Sequence, residues 1–279
     1  MNSLRALSLI LALLTGASGA SGATPSKFSS VSGNPGLRSA SALVLDGKGN
    51  LIYGKDVNTV RPIASITKLM TAMVVLDAGL DLDERITVTR EDRDLIRLTG
   101  SRLAYGATLS RREMILLALM SSENRAASAL GRTYPGGMAQ FVEQMNRKAR
   151  ALGMQDSHFA DPAGLMAENV STASDLAKLV AAADRYPLIA EATTTTRVEV
   201  RPFAGRGPLT YGNTNRLLKN ENWAIELSKT GYIHEAGRCL VMQARIEGEE
   251  LFIVLLNSFG KLTPFGDSNR LRKWLLAQS

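Results

Sequence analysis

Along this chain the hydrophobic positions change period several times, and each change predicts a different kind of element. Ala42-Leu43-Val44-Leu45 and Leu51-Ile52-Tyr53 flank Asp46-Gly47-Lys48-Gly49-Asn50, a pattern that predicts a β-hairpin with glycines in its turn. From Pro62 the apolar residues Ile63, Ile66, Leu69, Met70, Met73, Val74 and Leu80 recur at helical spacing. They predict a buried helix opened by Pro62 and ending near Gly79, with Ser65 in its first turn. The stretch from Glu84 to Tyr186 then reads as mostly helical. Ser110 and Glu113 form a capping box before Met114-Ile115-Leu116-Leu117-Ala118-Leu119, and helices are expected at 124–132, 138–152 and 172–184, the last begun by Thr172 and Asp175. After Pro187 strand-like runs return at 193–200, 224–229, 238–246 and 251–257, with Glu247-Gly248-Glu249 joining the last two, and a helix over 268–278 closes the chain. Strands at both ends with helices between them predict an α/β (α+β) fold: a sheet-and-helix subdomain from 39–84 and 187–279, interrupted by a helical subdomain at 85–186.

The first residues do not fit this pattern. Met1-Asn2-Ser3-Leu4-Arg5, the apolar run from Ala6 to Leu14 and the small residues from Thr15 to Ala23 have the layout of a signal peptide, residues 1–23. That run is too short to span a bilayer, which takes about 20 apolar residues. Export to the periplasm, the cell-envelope side, is expected, and residues 24–38, rich in Ser, Gly and Pro, read as a flexible leader. An exported chain whose lone cysteine is Cys239 has no internal disulfide to rely on. Cys239 sits beside Leu240, Val241 and Met242 and reads as a small buried hydrophobe. The net charge of +7 falls to about +6 when Arg5 leaves with the signal peptide. Such a surface suits cell-wall polymer or anionic headgroups, and after export nucleic acid is excluded as a partner. Two histidines, His158 and His234, and one cysteine give no zinc-site spacing.

Three short motifs carry the chemistry. In Ser65-Ile66-Thr67-Lys68 the spacing sets the hydroxyl and the ammonium side by side on one helix face. Lys68 can accept the serine proton if burial or a nearby cation, such as Lys229, lowers its pKa. Ser122-Glu123-Asn124 falls at a helix–helix turn, where the hydroxyl can relay a proton and the amide can hold a substrate carbonyl and Lys68; Ser122 is equally an ordinary helix cap. Lys229-Thr230-Gly231 ends a strand-like run, offering a cation and a hydroxyl to a carboxylate and a glycine that lets a substrate backbone approach. Two decoys exist: Ser258-Phe259-Gly260-Lys261 lacks a helix to align its ends, and Ser32-Gly33-Asn34 lies in the leader.

Together these motifs resemble the low-molecular-mass penicillin-binding proteins, the serine D-alanyl-D-alanine carboxypeptidase and endopeptidase family. The resemblance runs from about Ser39 to Phe259. It includes His158-Phe159-Ala160-Asp161-Pro162-Ala163-Gly164-Leu165 and the segment Asn169 to Leu176, while Tyr211-Gly212-Asn213-Thr214-Asn215 looks like the short endopeptidase branch. The resemblance implies a β-lactamase/transpeptidase-like fold, an antiparallel sheet flanked by helices beside an all-helical subdomain, with the site between them. It also implies that Ser65 is acylated by a D-Ala carbonyl, that Lys68 is the base, and that Ser122 and Asn124 complete the proton network. Lys229, Thr230 and Gly231 would hold the substrate carboxylate, and backbone N–H groups of Ser65 and Tyr232 would form the oxyanion hole. Peptidoglycan stem peptides and β-lactam antibiotics are the implied partners, the chain is expected to act as a monomer, and no metal or organic cofactor is called for.

Other readings compete less well. A class A β-lactamase needs a deacylating Glu between the second and third motifs; Glu168 lies there, but Asn169 follows it directly and the E-x-x-x-N pattern is absent. No G-x-S-x-G surrounds a serine, which disfavours a Ser-His-Asp hydrolase. An idle wall-binding module would not need Ser65 and Lys68 intact. Leu271, Trp274 and Leu275 beside Arg270, Arg272 and Lys273 leave room for a weak membrane contact, though packing back on the sheet is the expectation.

Overall fold

A computed structural model describes residues 26–278; the predicted signal peptide lies outside them. The predicted hairpin is β1 (Ser41–Asp46) and β2 (Leu51–Lys55), followed by the short β3 (Arg61–Pro62), a 3-10 turn over Ala64–Ile66 and helix α1 (Thr67–Asp77). The short strands β4 (Arg85–Thr87) and β5 (Thr108–Ser110) lead into α2 (Arg111–Met120), α3 (Asn124–Arg132) and α4 (Gly137–Ala151). Next come β6 (Val170–Ser171), α5 (Ala173–Ala183), α6 (Pro187–Thr194), β7 (Arg197–Val200) and β8 (Leu209–Gly212). The long strands β9 (Ala224–Ile233), β10 (Gly237–Ile246) and β11 (Glu249–Ser258) and helix α7 (Thr263–Leu276) complete the order.

The main sheet has the order β2-β1-β11-β10-β9, every neighbouring pair antiparallel, so both ends of the sequence contribute to it. Successive residues point to opposite faces. On β10, Cys239 and Val241 enter the larger core with α1, α2 and α5, while Leu240 and Met242 enter a second core with Leu271 and Leu275 of α7. A strand covered on both faces has no solvent face to keep polar, which is why Leu251 to Leu256 reads as an unbroken apolar run. β9 is the edge strand, packed against α6 and the 3-10 turn before α1. Every residue of α1 from Thr67 to Val75 is buried. It is a core helix without a polar stripe, and Lys68 sits in dry surroundings for that reason.

Several expectations need correction. Pro62 does not open the helix; it pairs with Val170 in the β3–β6 ribbon. Ala64 follows with φ 48, a left-handed conformation that no α-helix accommodates, so α1 starts only at Thr67 and Ser65 lies in the tighter 3-10 turn ahead of it. Residues three apart eclipse in such a turn, and Ser65 and Lys68 remain adjacent. The strand expected from Thr193 begins at Arg197, because residues 187–194 form α6: Pro187 sits in its first turn and Ile189, Ala192 and Thr193 face the core. Residues 26–38, expected as a flexible leader, have no regular structure but are docked. Phe28 (1% exposed) and Leu37 fill the second core, and the backbone N–H of Arg38 donates to Asp267 (2.9 Å). Two apolar residues and a buried carboxylate outweigh the loop-like composition.

The helices expected at 124–132, 138–152 and 172–184 form within a residue of those bounds, but the last helix starts at Thr263 rather than 268, and the stretch from Glu84 to α2, expected as mostly helical, holds β4, β5 and only a 3-10 turn at Arg90–Asp92. Ser110 and Glu113 close their capping box, and Thr172 caps α5 by accepting from the N–H of Asp175 (3.1 Å). The C-terminal helix packs back on the sheet through Leu271 and Leu275, both fully buried, while Trp274 meets the Tyr53 ring edge-on at 5.9 Å. Cys239 is buried, and desolvation pushes its thiol up to about 11. No helix among the described residues is long and apolar enough to cross a membrane.

Candidate active site

The three motifs arrive from three directions: Ser65 and Lys68 from the start of α1, Ser122 and Asn124 from the α2–α3 turn, and Lys229, Thr230 and Gly231 from the edge strand β9. Glu123, not Ser122, is the N-cap of α3, its side chain accepting from the N–H of Arg125. Ser122 takes φ 60 in the turn, and its hydroxyl accepts from Lys229 Nζ (3.0 Å) instead of capping the helix. The capping alternative for Ser122 is thereby excluded.

Lys68 Nζ has three oxygen partners: Ser65 Oγ (2.8 Å), Asn124 Oδ1 (2.8 Å) and the carbonyl of Ala163 (2.6 Å). A neutral amine has two hydrogens and one lone pair. It can donate to the amide and the backbone carbonyl, which only accept, and take its third hydrogen bond from the serine O–H. Burial drives Lys68 toward that neutral state, pushing its pKa down to about 7 against the opposing charges of Asp161, Glu123 and Asp94. Lys229, 1% exposed, is pushed well below its ordinary value by burial and then by the charge of Lys68. Two buried lysines sharing one cleft cannot both keep their protons cheaply, so the pair is suited to carrying a proton from one side of the site to the other.

Supports for this pair come from residues the motifs do not contain. The loop after α4 is gathered around Asp161, whose carboxylate accepts from the N–H groups of Ala163 (2.6 Å), Gly164 (2.7 Å), Leu165 (3.0 Å) and Met166 (2.7 Å). That aims the Ala163 carbonyl at Lys68. Asn124 is oriented by donating from Nδ2 to Thr99 Oγ1 (2.9 Å), and the Thr99 hydroxyl donates to Asp94 (2.7 Å). Thr230 Oγ1 lies 2.7 Å from Thr214 Oγ1. Gly231 admits no side chain: a Cβ there would stand 2.9 Å from the Ile63 carbonyl and 3.1 Å from the Ser65 nitrogen. Its lack of one lets the edge strand lie directly against the turn that carries Ser65.

These groups open into a cleft of about 470 Å³ lined by Ser65, Ser122, Asn124, Thr214, Thr230, Gly231 and Tyr232, with Arg216, Arg238 and Lys261 on its walls and no Asp or Glu among the lining residues. Tyr232 is half exposed at its mouth. All eight residues singled out from the sequence thus meet at or beside one cleft. Glu168 is exposed and lines no part of it, His158 bridges to Val170 through its backbone, and His234 is exposed beyond β9. The decoy Ser258 is buried against Ser39 at 2.7 Å. Sequence reasoning missed Asp94, Thr99 and the two arginines. Thr214 and Asp161 lay inside segments quoted for resemblance, but nothing in the sequence tells which of those residues faces the site. Among the described residues no group of acids, histidines and cysteine that could hold a metal occurs.

A family model described as D-alanyl-D-alanine carboxypeptidase matches residues 29–260. The chain is 48% identical to a D-alanyl-D-alanine endopeptidase of Pseudomonas aeruginosa over 240 residues, covering 86% of this chain and 77% of that one. To the D-alanyl-D-alanine endopeptidase of Escherichia coli it is 46% identical over 243 residues, covering 86% and 78%. The fold superposes on the crystal structure of the Streptomyces K15 DD-transpeptidase with a TM-score of 0.81 at 26% identity, covering 88% of this chain and all of that one.

Proposed function

The chain belongs to the D-alanyl-D-alanine carboxypeptidase family of serine peptidases, and from that premise we propose that it is a DD-peptidase that opens D-alanyl cross-links in peptidoglycan through an acyl-enzyme on Ser65. The observation that carries this reading is the Lys68 amine, buried, lowered to about 7 and 2.8 Å from Ser65 Oγ. A general base must lie within hydrogen-bond reach of the proton it takes and titrate near the working pH, and Lys68 meets both conditions. Ser65 Oγ attacks the D-Ala carbonyl carbon as its proton passes to Lys68 Nζ. The carbonyl oxygen becomes an oxyanion held by the N–H groups of Ser65 and Tyr232. When the C–N bond breaks, the departing amine takes a proton through Ser122, which Lys229 contacts at 3.0 Å. Water then attacks the ester by the same route in reverse, releasing the D-Ala carboxylate and regenerating Ser65.

Thr230, Lys229 and Gly231 hold the carboxylate on the carbon that bears the leaving amine, a group that cross-linked and terminal substrates share. Endopeptidase action is favoured by the two relatives at 46–48% identity. The second reading, release of terminal D-Ala, is favoured by the family's own description. Penicillin presents the same carboxylate beside a strained amide and acylates Ser65. Its leaving nitrogen stays tethered to the acyl group and occupies the place from which water would attack the ester, so the adduct persists. The setting is the exported, periplasmic side of the envelope, where the partner is the wall itself. Digestion of purified cross-linked muropeptide dimers beside uncross-linked pentapeptides, with products weighed by mass spectrometry, tests the proposal: cross-link opening is expected, and release of free D-Ala alone refutes the endopeptidase reading.

A further inference from the structure

The cleft walls carry charge that the chemistry at Ser65 leaves unused. Arg216, Arg238 and Lys261 all line the cleft, and none has an ion-pair partner among the described residues. Arg97, Arg132 and Arg245 elsewhere are each paired with a carboxylate. The two guanidiniums are placed by different elements, Arg216 by a 3-10 turn and Arg238 by strand β10. Arg216 follows Thr214, whose hydroxyl meets that of Thr230 at 2.7 Å, by two residues and opens a 3-10 turn (Arg216–Lys219) capped by Asn215. Arg238 faces Tyr232 across the β9–β10 ladder and stacks its guanidinium 3.6 Å over the Tyr232 ring. That stack holds the fork of donors in place while leaving its N–H edge free for an anion.

We propose that Arg216 and Arg238 form a second anionic subsite, beyond the carboxylate pocket at Lys229 and Thr230, that binds the strand leaving from a cross-link. This rests on the DD-peptidase reading above. Terminal D-Ala departs as an amino acid whose single carboxylate the first pocket already takes. A cross-linked strand departs as an acidic peptide with a further carboxylate past the amine-bearing carbon, and only that leaving group reaches a second pair of cations. The acyl-donor half is the same in both substrates, so the arginines act on the choice between them.

The test is kcat/KM on muropeptide dimers and on uncross-linked pentapeptides for the wild type, Arg216→Gln, Arg238→Gln and the double variant, with penicillin acylation and thermal melting followed in parallel. Charge-assisted contacts in a partly open cleft lead to an expected fall of roughly tenfold in the dimer-to-pentapeptide ratio for the double variant, mainly through KM. Arg238→Lys, which keeps the charge, retains most of the ratio, and raising the salt concentration erodes it in the wild type more than in the double variant. A ratio within twofold of wild type, or parallel loss on both substrates, overturns the subsite. If the double variant does not melt cooperatively, the single Gln and Lys pair at Arg238 decides by the same criterion. A wild type that penicillin acylates but that cuts no dimer refutes the endopeptidase reading itself, whereas a wild type that cuts dimers with an unmoved ratio in the variants refutes only the subsite.

Discussion

In the proposed mechanism a single lysine takes the serine proton. Lys68 is fully buried and makes all its hydrogen bonds to uncharged groups, so its charged form is disfavoured and its pKa falls to about 7. Because the pKa is lowered, the neutral amine gains population as pH rises through about 7, and acylation should rise with it. We expect fluorescent-penicillin labelling of Ser65 to increase about tenfold per pH unit below that point and to level off above it; a flat profile from pH 5 to 8 would remove Lys68 as the base. Lys68→Ala should slow acylation by about 10²- to 10⁴-fold, the usual worth of a positioned base, with the fold retained as judged by thermal melting. These properties of Lys68 were half legible in the sequence. Its spacing from Ser65 was plain, but the Ala163 carbonyl that shares it comes from a loop 95 residues further on, and no local pattern announces such a partner.

Elements meet in this site through glycine and through a bent start to a helix. The left-handed Ala64 breaks what reads as a continuous helical pattern and turns the Ser65 segment against β9, which approaches because Gly231 carries no Cβ. Gly231→Ala must displace either the strand or the nucleophile turn, since backbone atoms stand 2.9 and 3.1 Å from the added carbon. Its penicillin acylation rate should fall more than tenfold, and stopped-flow acylation checks this; an unchanged rate would show that the turn yields freely. The Asp161 loop makes a second junction. Asp161→Ala strips four backbone N–H groups of their acceptor, at about 1 to 3 kcal/mol for each that stays buried and unpaired. Chemical denaturation should register a loss of several kcal/mol, together with weaker acylation as the Ala163 carbonyl drifts from Lys68. The capping boxes and buried strands could be read beforehand because they rest on residues close in sequence. Helix α6 could not, because the β-branched run from Thr193 to Thr196 favours a strand by local propensity and only packing of Ile189, Ala192 and Thr193 into the core reverses it.

Over the whole molecule, the sheet is closed by the two ends of the chain and steadied by the segment that precedes it. Phe28 and Leu37 bury themselves in the core that α7 covers, apart from the core that holds α1. Phe28→Ala should cost about 3 to 5 kcal/mol, the range for emptying a buried aromatic site, while leaving Ser65 acylation intact below the melting temperature. An equal loss of acylation at 25 °C would mean that this core reports to the cleft. The sequence by itself determined the N-terminal hairpin, the long apolar strands near the C-terminus, the capped helices between them and the three motifs with the chemistry they propose, because motif spacing and apolar period are local properties written in consecutive residues. Only the tertiary structure decided that Ser122 answers Lys229 rather than capping α3, that Asp94, Thr99, Asp161 and Thr214 support the motif side chains, and that arginines without an ion-pair partner line the cleft. Burial, desolvation and charge balance are properties of neighbours in space, and here those neighbours come from segments as far apart as α1 and β9.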